Sequence, residues 1–163
     1  MLDFEPLYRE CRDRVFQLAF RMLGDRERAV EATQAAFVKA YEGRAGFAGR
    51  SSPRTWLYRI AFNACLDQLR RREAAPAAPE PLVDGPESRP AALLERAETV
   101  RRVRAALARL GVSDRSLLCL LMERDLPYRE LAVVLDCPES AVRMRVSRAR
   151  RRLRELLSPV EEP

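Results

Sequence analysis

Between Ala74 and Ala92 the chain reads AAPAAPEPLVDGPESRPAA, a stretch that holds five of its eleven prolines. Proline has no amide hydrogen for a helix or a sheet ladder, and prolines this closely spaced leave no room for either. With no helical or strand period, the stretch reads as an extended, polyproline-like linker. At about 3.1 Å per residue it would reach roughly 59 Å. The linker 74–92 divides the 163 residues into two small modules, 1–73 and 93–158, with a short tail at 159–163.

Charge follows the same division. The net charge is +6 and the sequence pI about 9.7, which favours a polyanionic partner. Residues 1–73 carry 14 bases and 10 acids, the linker one and three, and residues 93–163 carry 15 and 11. Two basic modules are joined by an acidic connector. Nearly all the positive charge is arginine, Lys39 being the one lysine. A GC-rich genome produces that bias by itself, so the distribution carries more weight than the ratio.

The chain has no histidine, which removes the commonest general acid/base and metal ligand. Cys11, Cys65, Cys119 and Cys137 never approach a CxxC spacing, so no zinc site is expected. The first three lie in apolar helical patterns and read as small buried hydrophobes. There is no GxGxxG, phosphate loop or nucleophile elbow. No catalytic residue, metal or cofactor is expected. No apolar run is long enough to span a bilayer and the N-terminus does not read as a signal peptide, so the expectation is a soluble protein of a reducing cytoplasm.

Outside the linker every pattern is helical, and the expected fold class is all-α. Phe4, Leu7, Tyr8, Cys11, Val15, Leu18 and Met22 trace one face of a first helix that Gly24 stops. Asp25 is placed to cap a second, with Val30, Thr33, Phe37 and Ala40 or Tyr41 on its face. A loop at 43–52 follows, and Pro53 suits the first turn of a third helix reaching about Arg72. That helix is apolar almost all round, from Trp56 to Leu69. Either it is buried on most sides or part of it meets a ligand. In the second module Ala97 to Leu110 mark one helix, and Ser113 or Asp114 is placed to cap another carrying Leu117 to Leu121.

Residues 125–158 then read DLPYRELAVVLDCPESAVRMRVSRARRRLRELLS, two helical patterns separated by Asp136-Cys137-Pro138. On the second, Val142, Val146, Ala149, Leu153 and Leu156 form a narrow apolar stripe, and seven arginines between Arg143 and Arg154 fill the rest of the circumference. A helix anchored on one side, cationic on the others and preceded by a tight turn and a second helix suits the DNA major groove. The plainer reading is a solvated basic helix end.

The string TWLYRIA, followed by Asn63 and an arginine cluster, resembles region 2 of the sigma-70 family. The string LPYRELAVVLDCPESAVRMRVSRARRRLREL resembles region 4. Together they are most similar to the two-domain extracytoplasmic function (ECF) sigma factors, and the likeness covers about 140 of the 163 residues. It implies a region 2 bundle of three or four helices and a region 4 helix-turn-helix. By motif position it implies a pocket of Phe47, Ile60, Asn63 and Cys65 for a base flipped from the promoter −10 element, an apolar wall with a polar group to read the base edge. Arg143, Met144, Ser147 and Arg148 would face the groove of the −35 element, the two arginines being the better readers of guanine. Arg59, Arg70, Arg71, Arg72, Arg145, Arg150 and Arg151 would hold phosphates, though each is also an ordinary solvated arginine. Trp56 reads as core, while Tyr58 is core or a stacking platform.

The likeness also implies partners: the β′ clamp helices and β flap of RNA polymerase core, promoter DNA and an anti-sigma factor. Glu31, Gln34, Phe37 and Tyr41 would meet the clamp helices. Here the chain departs from the family pattern, because Ala35 stands where an acidic residue is usual. The expected function is therefore promoter-specific initiation without enzymatic activity of its own. Two alternatives stand beside it: a dimeric helix-turn-helix regulator, and a sigma-like interaction protein that no longer initiates transcription.

Overall fold

This computed structural model describes residues 2–74, 91–123 and 126–158. Seven helices are described: α1 Phe4–Leu23, α2 Arg26–Gly43, α3 Pro53–Ala74, α4 Ala91–Arg109, α5 Val112–Leu121, α6 Tyr128–Leu135 and α7 Glu139–Leu157. A single 3-10 turn, Arg44–Gly46, follows α2. No strand occurs among the described residues, and the chain is all-α.

Local chemistry accounts for the helix boundaries. Gly24 closes α1 in the left-handed region at φ 70°, its amide donating to the Phe20 carbonyl at 2.9 Å. A residue with a β-carbon would be strained there. Asp25 caps α2 as expected, accepting from the Arg28 amide at 2.8 Å. Ser52 caps α3 through the Thr55 amide at 3.1 Å, with Pro53 at the first helical position, where its missing N–H costs nothing. The expected cap of α5 is corrected. Gly111 takes that position, and Ser113 and Asp114 lie inside the first turn. Asp114 there ion-pairs with Arg152 and so ties α5 to α7.

The first three helices pack on one another, and Leu7, Cys11, Val15, Ala36, Phe37, Ala40, Leu57 and Ala61 form a core wholly inside the first module. A second core crosses the modules. It joins Leu18, Met22, Tyr58, Phe62, Cys65 and Leu69 to Leu117, Cys119, Leu120, Leu131, Val142 and Val146. This resolves the reading of α3: it is apolar all round because α1 and α2 cover one side while α5 and α6 lie against another. Tyr58 is core, at 1 % exposure. The two modules are thus packed together, although the linker's length alone allows them to lie far apart. The extended course expected for the linker falls outside the described residues.

Polar contacts line the seam. Glu123 ion-pairs with Arg21 of α1 and accepts a hydrogen bond from the Tyr58 hydroxyl at 2.8 Å. The Thr55 hydroxyl donates to Glu130 of α6. Arg59 reaches Asp136 at 3.6 Å, and the Cys119 thiol donates to the Arg21 carbonyl at 3.5 Å.

Candidate nucleic-acid interface

The helix-turn-helix is set by α6, the turn at Asp136 and α7. Asp136 adopts φ 51°, a left-handed conformation that a short polar side chain tolerates better than most. The Asp136 and Cys137 amides donate to the carbonyls of Val133 and Ala132 at 3.4 and 3.1 Å, which closes the end of α6. Val142, Val146 and Ala149 anchor α7 in the core, while Leu153 and Leu156 are half-buried. The remaining circumference faces solvent, as the periodicity predicts.

Arg143, Met144, Arg145, Ser147, Arg148, Arg150 and Arg151 are all exposed. Tyr128, Arg143, Val146, Ser147, Arg150 and Arg154 line an open groove of about 340 Å³. Three guanidinium groups and a hydroxyl converge there, an arrangement fitted to phosphate and base-edge acceptors. Arg143 is held in place within it. Its guanidinium lies 4.7 Å from the Tyr128 ring centroid and 2.5 Å from a Glu139 carboxylate oxygen. Arg154 was absent from the expected contact set, yet the spacing 143, 147, 150, 154 puts it on the same strip of helix. Arg152 is occupied by Asp114, and Arg151 pairs with Glu155 at 3.8 Å.

The residues expected at the base pocket divide. Phe47 stacks obliquely on Trp56 with centroids 5.2 Å apart, just before α3. Ile60 is half-buried and Asn63 exposed. Cys65 does not join them: two residues past Asn63 the helix has turned by about 200°, and the thiol is 1 % exposed inside the shared core. Its assignment to the pocket is therefore corrected. Arg59 is half-buried and paired with Asp136, whereas Arg70 and Arg71 are exposed and Arg72 half-buried at the end of α3.

On α2, Glu31, Gln34 and Ala35 are exposed and Tyr41 is half exposed, its ring carrying the Arg44 guanidinium at 3.6 Å. Phe37 is buried at 7 %, between the rings of Phe4 at 6.2 Å and Tyr8 at 4.9 Å. It supports the surface from beneath, which corrects its expected role as a contact residue. Tyr8 and Tyr41 are the aromatic faces open to a partner there.

The three buried thiols are quiet. Burial pushes the Cys65 thiol up to about 12 and those of Cys11 and Cys119 up to about 11. Each stays protonated and unreactive at neutral pH. Burial, followed by the hydrogen bond to Glu123, likewise raises the Tyr58 phenol well above its ordinary value.

Comparison with known proteins matches this architecture. Residues 7–75 match the model for sigma-70 region 2, and residues 100–153 the model for sigma-70 region 4. ECF RNA polymerase sigma factor SigM of Mycobacterium tuberculosis is 34% identical over 94% of this chain and 76% of its own. RNA polymerase sigma factor YlaC of Bacillus subtilis is 32% identical over 98% and 95%. Among solved structures, the sigma factor RpoE in complex with the anti-sigma factor NepR from Bartonella quintana superposes with a TM-score of 0.74 at 23% identity. That superposition spans 98% of this chain and 99% of the other. CnrH in complex with the cytosolic domain of CnrY gives 0.68 at 26% identity, over 94% of this chain and 86% of the other. The chain belongs to the sigma-70 family of transcription initiation factors, and within it to the ECF sigma factors.

Proposed function

We propose that this chain directs RNA polymerase core to promoters by holding two DNA elements with two modules. Residues 1–73 would dock on the clamp helices and open the −10 element, and residues 93–158 would read the −35 element and meet the β flap. The observation that carries this reading is the groove on α7, where Arg143, Arg150 and Arg154 converge beside Ser147 on a helix anchored by a buried stripe. Around Asn63 and Ile60, α3 supplies the polar reader and apolar wall that base capture needs. Arg70, Arg71, Arg145 and Arg148 are placed for phosphates. Glu31, Gln34 and Tyr41 form the docking surface for polymerase.

Catalysis of RNA synthesis belongs to the polymerase, so the chain acts as a non-enzymatic factor, in the cytoplasm of a bacterium. Among the described residues no helix is long and apolar enough to cross a membrane. An anti-sigma protein is the expected regulator, by analogy with RpoE and CnrH, whose solved structures are complexes of that kind. Ala35 favours a second reading, an interaction protein that binds polymerase without initiating, because a surface carboxylate usual in the family is missing.

Run-off transcription on fragmented genomic DNA of the source organism, with core polymerase and with or without the protein, separates these. New start sites sharing two motifs about 17 base pairs apart, roughly 58 Å of B-DNA axis, are expected. Core binding without initiation would support the interaction-protein reading. Binding of duplex DNA without core binding would instead point to a helix-turn-helix regulator.

A further inference from the structure

The strip of α7 that carries the cationic groove ends in an acid. Arg143, Ser147, Arg150 and Arg154 recur along it at helical spacing, and one turn before them stands Glu139. A carboxylate is out of place on a surface suited to a polyanion, because nearby phosphates repel it. Stability does not account for it either. Glu139 Oε1 lies 2.5 Å from Arg143 Nη2, but the side chains are 42% and 62% exposed. Exposed ion pairs one helical turn apart add little to a fold.

Its position is where bases are read. The N-terminal residues of a recognition helix are the ones that contact base edges. Glu139 is the first residue of α7, after Pro138, which offers no side-chain cap, and the positive end of the helix favours a carboxylate there. Oε1 engages Arg143, whose guanidinium also lies 4.7 Å from the Tyr128 ring centroid, leaving Oε2 for a base. A guanidinium has five N–H donors, so one given to Glu139 leaves enough for the O6 and N7 acceptors of guanine.

A carboxylate offers only lone pairs. In the major groove it accepts from an exocyclic amino group and is repelled by the acceptors of guanine and thymine. Cytosine presents its amino group with no acceptor beside it, whereas adenine adds N7. Four helical residues rise about 6 Å, and base pairs are stacked about 3.4 Å apart. Glu139 and Arg143 are therefore spaced to meet bases one or two pairs from each other.

We propose that Glu139 is a specificity-determining residue of α7. It selects cytosine within two base pairs of the guanine that Arg143 holds, and it keeps Arg143 from binding phosphates indiscriminately. The inference rests on the proposed function only in taking α7 as the helix that reads duplex DNA. Within that reading Glu139 lowers affinity for DNA in general and raises it for one sequence.

Selection of duplexes from a random pool by the full-length protein tests this, in one arm with the chain alone and in another with polymerase core. The wild type should enrich cytosine close to an enriched guanine. Glu139→Gln keeps the shape of the side chain and adds an amide donor, which matches adenine N6 and N7, so the selected base should change from cytosine to adenine. Glu139→Ala should lose the preference at that position by about fivefold or more. Both variants should bind a duplex of unselected sequence several-fold tighter. Their slope of log K against log salt should steepen by up to about 0.9, because Arg143 is freed for phosphate.

Cytosine retained by Glu139→Gln would overturn the proposal, as would the absence of any base preference in the wild type in both arms. A purely structural role would lower the melting temperature of the variants and leave the selected base unchanged, which also overturns it. Duplex sorting by the chain alone, without binding to core, would instead sink the sigma-factor reading, and the bases selected in that arm would still decide the role of Glu139.

Discussion

The Tyr58 hydroxyl donates to a carboxylate oxygen of Glu123 at 2.8 Å, joining two residues 65 positions apart that belong to different modules. A carboxylate so little exposed needs donors in place of its lost water, and Arg21 and Tyr58 are those donors. This one acceptor couples the fold of the first module to the placement of the second.

Tyr58→Phe removes the hydroxyl and keeps the ring in the core. A hydrogen bond to a charged group contributes about 1.5–3 kcal/mol, and Glu123 retains Arg21, so the lower end applies. The variant should melt about 3–6 °C below the wild type in thermal unfolding. An unchanged melting temperature would mean that the contact adds nothing in solution.

Alkaline pH should loosen the protein, and the sign follows from the direction of the shifts. The folded thiols of Cys65 and Cys119 hold their protons to about 12 and about 11, whereas unfolded thiols ionise near 9. The unfolded chain therefore binds fewer protons above pH 9, and stability falls as pH rises from there through 11 to 12. Each thiol contributes up to about 1.4 kcal/mol per pH unit in that window. Urea unfolding at pH 8 and pH 10.5 should show the loss, and a Cys65→Ala/Cys119→Ala variant should show a shallower one.

Much of this was legible in the sequence because it is local. Gly24, Asp25 and Pro53 mark helix ends by backbone chemistry that needs no tertiary context, and the stripe from Val142 to Ala149 follows from periodicity alone. What escaped depends on neighbours distant in sequence. Cys65 could be told from Asn63 only by settling which side of α3 is covered, and that side is covered by residues some 50 positions later. Phe37 reads as a surface aromatic until Phe4 and Tyr8 are seen closing over it. Gly111 caps α5 in place of Ser113 or Asp114, and Asp114 in the first turn instead pairs with Arg152, a partner 38 positions later. The packing of the modules had no sequence signal, since a linker's length bounds separation but does not set it.

The cap of α2 offers a local test. Asp25→Ala removes the acceptor of the Arg28 amide at 2.8 Å and leaves an orphan donor at the helix start. A loss of about 1 kcal/mol is expected, read as a lower urea midpoint with unchanged slope. A change in slope would instead signal that the unfolding unit itself had changed.

The two arginines of the α7 groove should fail in different ways. Arg143 is oriented by the Tyr128 ring and by Glu139, which suits a guanidinium that reads a base edge in one geometry. Arg150 lines the same groove on the next turns and is exposed, as a phosphate contact requires. Arg143→Ala should cost about 1–3 kcal/mol on the preferred −35 sequence, relax the preference at one base pair and leave weak, non-specific binding nearly unchanged. Arg150→Ala should weaken all sequences alike and lower the slope of log K against log salt by about 0.9. Fluorescence anisotropy on matched and single-mismatch duplexes across a salt series separates the two. If both variants weaken every duplex equally and flatten the salt slope equally, then Arg143 reads no base and the cradle of Tyr128 and Glu139 serves only to hold a charge.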